Sequence, residues 1–462
     1  MTLVACLVAW VAIWIVAGAG AMFSEDWVHL GIAARQESLL EAFDLGRVPL
    51  RPLQHVAFYV LAELGVTEGL VARGLGLVGH LLAIIGVFAL GREWGRTVAA
   101  GVASAVLFAL APNVVSVLSP AALGWPWRIA FSLWALVLFE VGWRLRSKRA
   151  ALGCWGLWVL ALGCHQGALV LPGVAALRVL FLAPPGQRLK GLFRPGLAGW
   201  CALAAGYVVY MQFFRDATGH GLKELASLPA NVVRAELALF PEPLRLFAVN
   251  GLRSETPIGT FLGGSIVALA FGFASYLWFK GGALARFVLA AIALDLVLPV
   301  LTTGFASRYA YLSFALGALG VGVAASRSLY FDRARTLFVV VALAWGADLV
   351  HEVFEFRQAS RWADHVIETV REAEADGGTV AIIDVPERIG RELELQFFGL
   401  GLAQALDLAI EPKDRSIFRT WENFHTTNVP FVPFEEVRDR GARGEFSVLV
   451  WSRVEQRLTP LR

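Results

Sequence analysis

Apolar runs of about 17–25 residues recur along most of this chain, which is the length a helix needs to cross the hydrocarbon of a bilayer. In lipid no water is available to the backbone, so such runs are helical and must pack against one another. Spans are predicted near residues 3–22, 70–90, 97–112, 127–143, 150–163, 167–183, 196–213, 258–279, 286–302, 309–326 and 335–351, about eleven in all. With 57% hydrophobic and 17% charged residues and a mean hydropathy of +0.63, an ordinary soluble protein is excluded. The 16 Trp and 31 Phe fit a protein whose aromatics anchor interfaces and pack between helices. A dispersed net charge of +3 speaks against nucleic acid as a partner. Cys6, Cys154, Cys164 and Cys201 lie in or at the ends of apolar runs and read as small buried hydrophobes.

Alternate short connections carry the basic residues: GREWGR at 91–96, RLRSKR at 144–149, the Arg188/Lys190/Arg194 loop, Lys280 to Arg286, and Arg327 to Arg335. The positive-inside rule makes these cytoplasmic. Outer loops then cover residues 23–69 and 214–257, and the C-terminal tail is also outside. No Lys or Arg precedes the first apolar run, which is longer than a typical signal-peptide core, so it is expected to stay as a span. Residues 24–66 are predicted to form amphipathic helices along the surface rather than another crossing, because HVAFYVLAEL is only about half a span.

Composition shifts near residue 352. A charged helical stretch ends at two glycines, TVAIIDV reads as a buried strand, LELQFFGLGLAQALDL as a helix or strand-helix pair, and EFSVLVWS as a second strand. The expected architecture is an all-α polytopic membrane domain over 1–351 and a small extracytoplasmic α/β domain over 352–462.

The chemistry-bearing residues gather on the outer side. Glu25 and Asp26 follow the first span directly, and Arg51-Pro52-Leu53 begins the next apolar stretch. A carboxylate there suits a general base or a cation ligand. Acids after Ser24 also suit the first turn of a helix. Arg51 fits phosphate binding or a snorkelling interfacial position, and His55 lies one turn later. His80 falls within a span, as a functional group or a histidine hydrogen-bonded between helices. Arg128 stands beside Trp125 and Trp127, Arg308 is the one basic residue of its outer loop, and His165 and Gln166 open a span. Tyr309 and Tyr311 suit either a ligand or the interface.

The order Glu25-Asp26, Arg51-Pro52-Leu53, His80 in ARGLGLVGHLLA, LSPAALGWPWRIAF, PEPLRLF at 241–247 and SRYAYLSF at 307–314 resembles the integral-membrane GT-C glycosyltransferases. The bacterial dolichyl-phosphate-mannose mannosyltransferase-like branch is the nearest in pattern, over about residues 1–350. The chain departs from that pattern at Cys164-His165-Gln166, where many relatives carry Lys-Glu, and at Ser313, where Pro is common. The resemblance implies an inverting enzyme of a bacterial inner or plasma membrane. It would move a sugar from a polyprenyl-phosphate donor to a protein, lipid or glycan acceptor on the outer face. Asp26, with Glu25, would be catalytic. Arg308, Arg51 and Arg128 would bind the donor phosphate, and His165, Gln166, Tyr309, Tyr311 and His55 would line the pocket. A divalent cation is a possible cofactor, with Asp26 as its ligand. Two other functions fit: a transporter or flippase, for which Asp295 is the main midplane acid, and a non-catalytic scaffold of the same fold.

Overall fold

The computed structural model describes residues 1–18, 22, 25–43, 51–66, 69–213, 232–233, 237–240, 242–253, 256–302, 310–327, 333–375, 379–385, 388–389, 395–396, 406, 416–418, 432–452 and 457–461. The chain is mostly helical, with a small sheet near its C-terminus. Each predicted span coincides with a helix: α1 (Thr2–Gly18), α5 (Gly69–Gly95), α6 (Val98–Leu110), α8 (Gly124–Leu145), α9 (Lys148–Cys164), α10 (Leu171–Leu182), α12 (Pro195–Phe213), α14 (Pro257–Lys280), α15 (Gly282–Thr302), α16 (Tyr311–Arg327) and α17 (Arg333–Ala375). Shorter helices lie between them: α2 (Glu25–Ala33), α3 (Leu39–Ala42), α4 (Pro52–Glu63), α7 (Val114–Leu118), α11 (Arg188–Leu192) and α13 (Glu242–Arg253).

Three of these helices, α5, α14 and α17, are long and apolar enough to cross a membrane, and the bent pair Pro185–Leu192 with Gly196–Val209 makes a fourth. The remaining apolar helices include several of 17 residues or fewer, among them α1, α6 and α16. At 1.5 Å per residue, α1 spans only about 26 Å. α14 leaves most of its apolar surface uncovered by protein, with Phe261 and Leu269 both 72% exposed, as suits a helix bathed in lipid.

Tryptophans tie the helices together. Indole N–H groups donate to carbonyls of neighbouring segments from Trp10 to Ala109 (2.8 Å), Trp14 to Leu70 (2.9 Å), Trp127 to Leu75 (3.1 Å), Trp134 to Leu82 (3.2 Å) and Trp158 to Ala168 (2.9 Å). A buried indole needs an acceptor, and a helical carbonyl has a second lone pair to offer. These contacts fix the relative directions: α1 runs antiparallel to α5, and α8 runs parallel to α5. The C-terminal end of α1 and the N-terminal ends of α5 and α8 therefore share one end of the bundle. Gly124 of α8 lies against the carbonyl of Cys164, so the C-terminal end of α9 is there too.

α17 runs unbroken for 43 residues, so the domain boundary expected at residue 351 falls inside a helix. No proline and only Gly346 occur between Arg333 and Ala375. The apolar part ends near His351, about 28 Å from the helix start, and the charged part continues beyond it. The charged part packs on a sheet ordered β4-β1-β5-β6, made of β1 (Val380–Ile383), β4 (Ser416–Phe418), β5 (Ser447–Ser452) and β6 (Arg457–Pro460). β1 is parallel to β4 and β5, and β6 is antiparallel to β5. Alternation along β1 sends Val380 and Ile382 into the core shared with the helices. Ala381 and Ile383 face a second cluster that includes Val437 of α18 (Phe434–Ala442). The sheet thus lies between α17 and α18, as expected for a small α/β unit. β2 (Arg388–Ile389) and β3 (Leu395–Gln396) form a short antiparallel pair. Most of LELQFFGLGLAQALDL lies outside the described residues.

The expected outer loop 214–257 contains more than surface chain. α13 packs along the first half of α14, where a Cβ on Gly263 would meet the Ala248 carbonyl and the Leu252 nitrogen at 2.7 Å each. The turn at Leu237–Leu239 reaches the level of Ala270, and its Leu239 carbonyl accepts from the Trp345 indole at 3.0 Å. Facing Gly251 and Gly263 permit this close backbone approach.

Candidate functional site

The first segment after α1 does not cross the bundle. α2, α3 and α4 hold nine, four and twelve residues, each too short to span a bilayer. α2 packs against α4 and against the turn Pro120–Ala122, and α4 packs against α9. Leu53 touches the position of Gly163, and the Gln54 amide reaches Gly124. The elements that carry Glu25, Asp26, Arg51, His55, Arg128, His165 and Gln166 are therefore neighbours at one end of the bundle. Glu25 and Asp26 occupy the first turn of α2. Arg51 is the N-cap residue of α4 without capping through its side chain, and Pro52 starts the helix from φ-restricted backbone. Arg308 and Tyr309 lie outside the described residues.

Arg128 is 2% exposed, and its Nη2 donates to Asp295 Oδ1 at 2.9 Å. Ser313 Oγ donates to Asp295 Oδ2 at 2.8 Å. The Arg128 guanidinium also stands over the Trp125 ring, 5.1 Å from its centroid. Trp125 also meets His165, with ring centroids 3.9 Å apart and the planes tilted by 37°. His165 Nδ1 accepts from the Gly167 backbone N–H at 3.0 Å, so its neutral form carries the ring proton on Nε2. A side chain at Gly167 would strike the guanidinium at 2.5 Å. Arg128, Trp125 and His165 thus form one packed group, and its charge is balanced by Asp295. Gln166 starts the 3₁₀ turn Gln166–Val170 beside it.

Tyr311 sits apart from this group. It is fully buried and hydrogen-bonds His80 Nδ1, with Phe108 stacked on its ring and Trp10 packed edge-on against His80. His80 therefore follows its packing alternative, a histidine bonded between helices. Tyr311 and Ser313 are two residues apart on α16, so the same helix serves both buried polar groups.

A second imidazole group lies between α2 and α4. His29 stacks on Phe58 with centroids 5.1 Å apart, and His55 stands 6.0 Å away. Burial, followed by the neighbouring His55 and Arg51 charges, pulls the His29 pKa down to about 3. Burial and Arg51 lower His55 as well. Both rings are neutral near pH 7.

Three participants escaped the sequence reading: Asp295 as partner of Arg128, Ser313 as donor to that carboxylate, and His29 beside His55. The Arg128–Asp295 pairing joins residues 167 apart, and nothing local signals it. Charge inside an apolar run was the available clue, because a buried ion requires a counter-ion. Among the described residues no group of three or more His, Cys, Asp or Glu side chains is placed to hold a metal ion. No protein-family model matches this chain, and no curated protein matches it significantly.

Proposed function

We propose that this protein is a multi-pass membrane glycosyltransferase of the GT-C type, using a polyprenyl-phosphate-linked sugar and acting on the outer face. The observation that carries this reading is the convergence at one end of the bundle. The helix bearing Glu25 and Asp26 packs beside the turn that leads into Arg128, and α4 packs beside the end of α9 that leads into His165. Attack by an acceptor hydroxyl on an anomeric carbon requires a base, and Asp26 takes that role. A departing lipid phosphate requires positive charge, and Arg51 and Arg308 take that role. Arg128, already balanced by Asp295, orders the pocket wall through Trp125 and His165. The apolar surface of α14 offers the lipid environment that a polyprenyl tail needs. Asp295 also bears on the transport reading, because an acid paired with a fixed guanidinium is a poor carrier of ions or protons.

The test is transfer of radiolabel from a panel of polyprenyl-phosphate sugars by the purified full chain in lipid nanodiscs. Wild-type protein should transfer label. Asp26→Asn should lose at least about 100-fold in kcat, as removal of a general base does. Arg308→Ala should mainly raise the KM for the lipid donor. No transfer from any lipid donor, or undiminished transfer by a folded Asp26→Asn variant, would overturn the proposal.

A further inference from the structure

The connection between α10 and α12 turns basic and apolar side chains away from the bundle. It lies at the end opposite Glu25 and Asp26, because α8 runs from their end toward Arg144 and α11 packs beside Trp143 of its last turns. A Cβ at Gly191 would meet the Trp143 ring at 2.6 Å and Val179 at 2.7 Å, so this face of α11 rests on the bundle. At about 100° per residue, Leu189 and Phe193 fall on the opposite face. They are 68% and 81% exposed, and Arg188 and Lys190 flank them on either side. The segment from Ala183 to Pro195 holds no Asp or Glu. Among the described residues, Arg188, Lys190 and Arg194 take part in no ion pair, whereas Arg144 is paired with Glu93 and Arg178 with Glu140. Arg194 instead stands over Trp143, 3.8 Å from its centroid, and a ring face holds a cation without neutralising its charge. Arg188 Nε donates to the Ala183 carbonyl at 3.0 Å, which keeps that guanidinium at the end of α10.

We infer that Arg188, Lys190 and Arg194, with Leu189 and Phe193, form a binding site for an anionic phospholipid of the bilayer. Cations without a carboxylate among them match the phosphate of such a headgroup, and guanidinium forks pair with phosphate oxygens. Leu and Phe on the outward face of a surface helix, flanked by basic residues, suit a segment at the boundary of headgroups and acyl chains. A free phosphate would engage the three cations and leave those two side chains without a role. Pro185–Leu192 meets Gly196–Val209 at 45°, so the first can follow the membrane surface while the second enters the bilayer. Along α12, Leu203 and Val209 are 51% and 58% exposed and continue the apolar surface that acyl chains need. A lipid bound here would hold the entry of α12 beside α8 and α10. The site depends on no particular reaction, and direct lipid binding tests it whether or not sugar transfer is found.

The full chain, purified in detergent, is titrated with dioleoyl-phosphatidylglycerol or dioleoyl-phosphatidylcholine and read by native mass spectrometry. The wild type should bind phosphatidylglycerol in clear preference to phosphatidylcholine. Arg188→Gln, Lys190→Gln and Arg194→Gln should each weaken phosphatidylglycerol binding about 5-fold, as loss of one basic residue near an anionic surface does, and the triple variant about 100-fold. Phe181 meets Trp278 with ring centroids 5.9 Å apart, which places the end of α14 at this same end of the bundle. Lys280→Gln with Arg333→Gln, on elements that meet there, should bind as wild type does. Leu189→Ser with Phe193→Ser should weaken both lipids, and excess glycerol 3-phosphate should displace neither. Where Arg194→Gln misfolds through loss of its contact with Trp143, the Arg188/Lys190 double replacement leaves that contact intact and carries the test. Equal binding of the two lipids by wild type, or undiminished phosphatidylglycerol binding by the triple or double variant, would overturn the inference. So would an equal loss in the Lys280/Arg333 variant. Displacement by glycerol 3-phosphate would mark a free-phosphate site, and a dimer that the triple variant dissociates would put a second copy on this face; either result overturns the lipid assignment.

Discussion

Arg128 and Asp295 show how a residue's neighbours decide what its charge can do. Each is 2% exposed at the side chain, and they meet at 2.9 Å. Either ion alone in such a place would carry a desolvation cost of several kcal/mol. Asp295→Ala should therefore destabilise the protein by about 3–5 kcal/mol, because it strands a buried guanidinium. Replacing both, as Arg128→Met with Asp295→Leu, should recover most of that loss and leave a near-neutral change. Thermal or denaturant unfolding of the two singles and the double, in one detergent, measures the coupling. A double variant as unstable as the sum of the singles would show that the pair is not a closed unit. The same cycle read in transfer assays separates stability from ordering of His165 through Trp125.

At the scale of elements, close packing is set by which residue has no side chain. α13 and α14 cross at Gly251 and Gly263, where backbone meets backbone. Gly263→Ala would force a methyl group to within 2.7 Å of the Ala248 carbonyl. Overpacking of this kind costs about 1–3 kcal/mol, and here it should also push α13 off α14. Hydrogen exchange in residues 242–253 should rise in that variant, while exchange in α5, remote from the crossing, stays as in wild type. Unchanged protection of α13 would mean the crossing is held elsewhere. At another junction, the backbone N–H of Val114 at the start of α7 donates to Glu352 of α17 at 2.8 Å. A carboxylate from the long helix thus caps a helix at the end of the bundle where α2 and α4 lie, where a negative group is favourable.

For the whole molecule, α17 is the element that joins the bundle to the sheet. Its 43 residues extend about 65 Å, roughly twice the hydrocarbon thickness of a bilayer. The first half lies along the bundle, and the second half supports the sheet on the side where α2, α4 and the start of α8 lie. Phe356, just past the apolar part, is fully buried and lies 5.0 Å from the Arg73 guanidinium of α5. Sheet and bundle should therefore behave as one body, with the sheet at the end opposite the connection between α8 and α9. After replacement of the four native cysteines, single cysteines at positions 146 and 372 should react with an impermeant maleimide from opposite sides of sealed vesicles. Labelling of both from the same side would overturn that arrangement.

Sequence alone made the helices and their places legible, because apolar runs record the solvent each segment must meet, and that is a local property. It also made β1 and β5 visible, since short runs rich in Val, Ile and Leu have few other uses in a charged tail. It marked Arg128 and Asp295 as unusual, for charge within an apolar run is costly wherever it lies. Pairing was not legible. Arg128 with Asp295, His29 with His55 and Tyr311 with His80 depend on which helices touch and at what rotation. Those contacts were decided by tertiary packing, through glycine crossings and indole bonds between residues far apart in sequence. The unbroken course of α17 was decided there too. A change from apolar to charged residues marks a change of solvent, and a helix free of proline passes through it without a break.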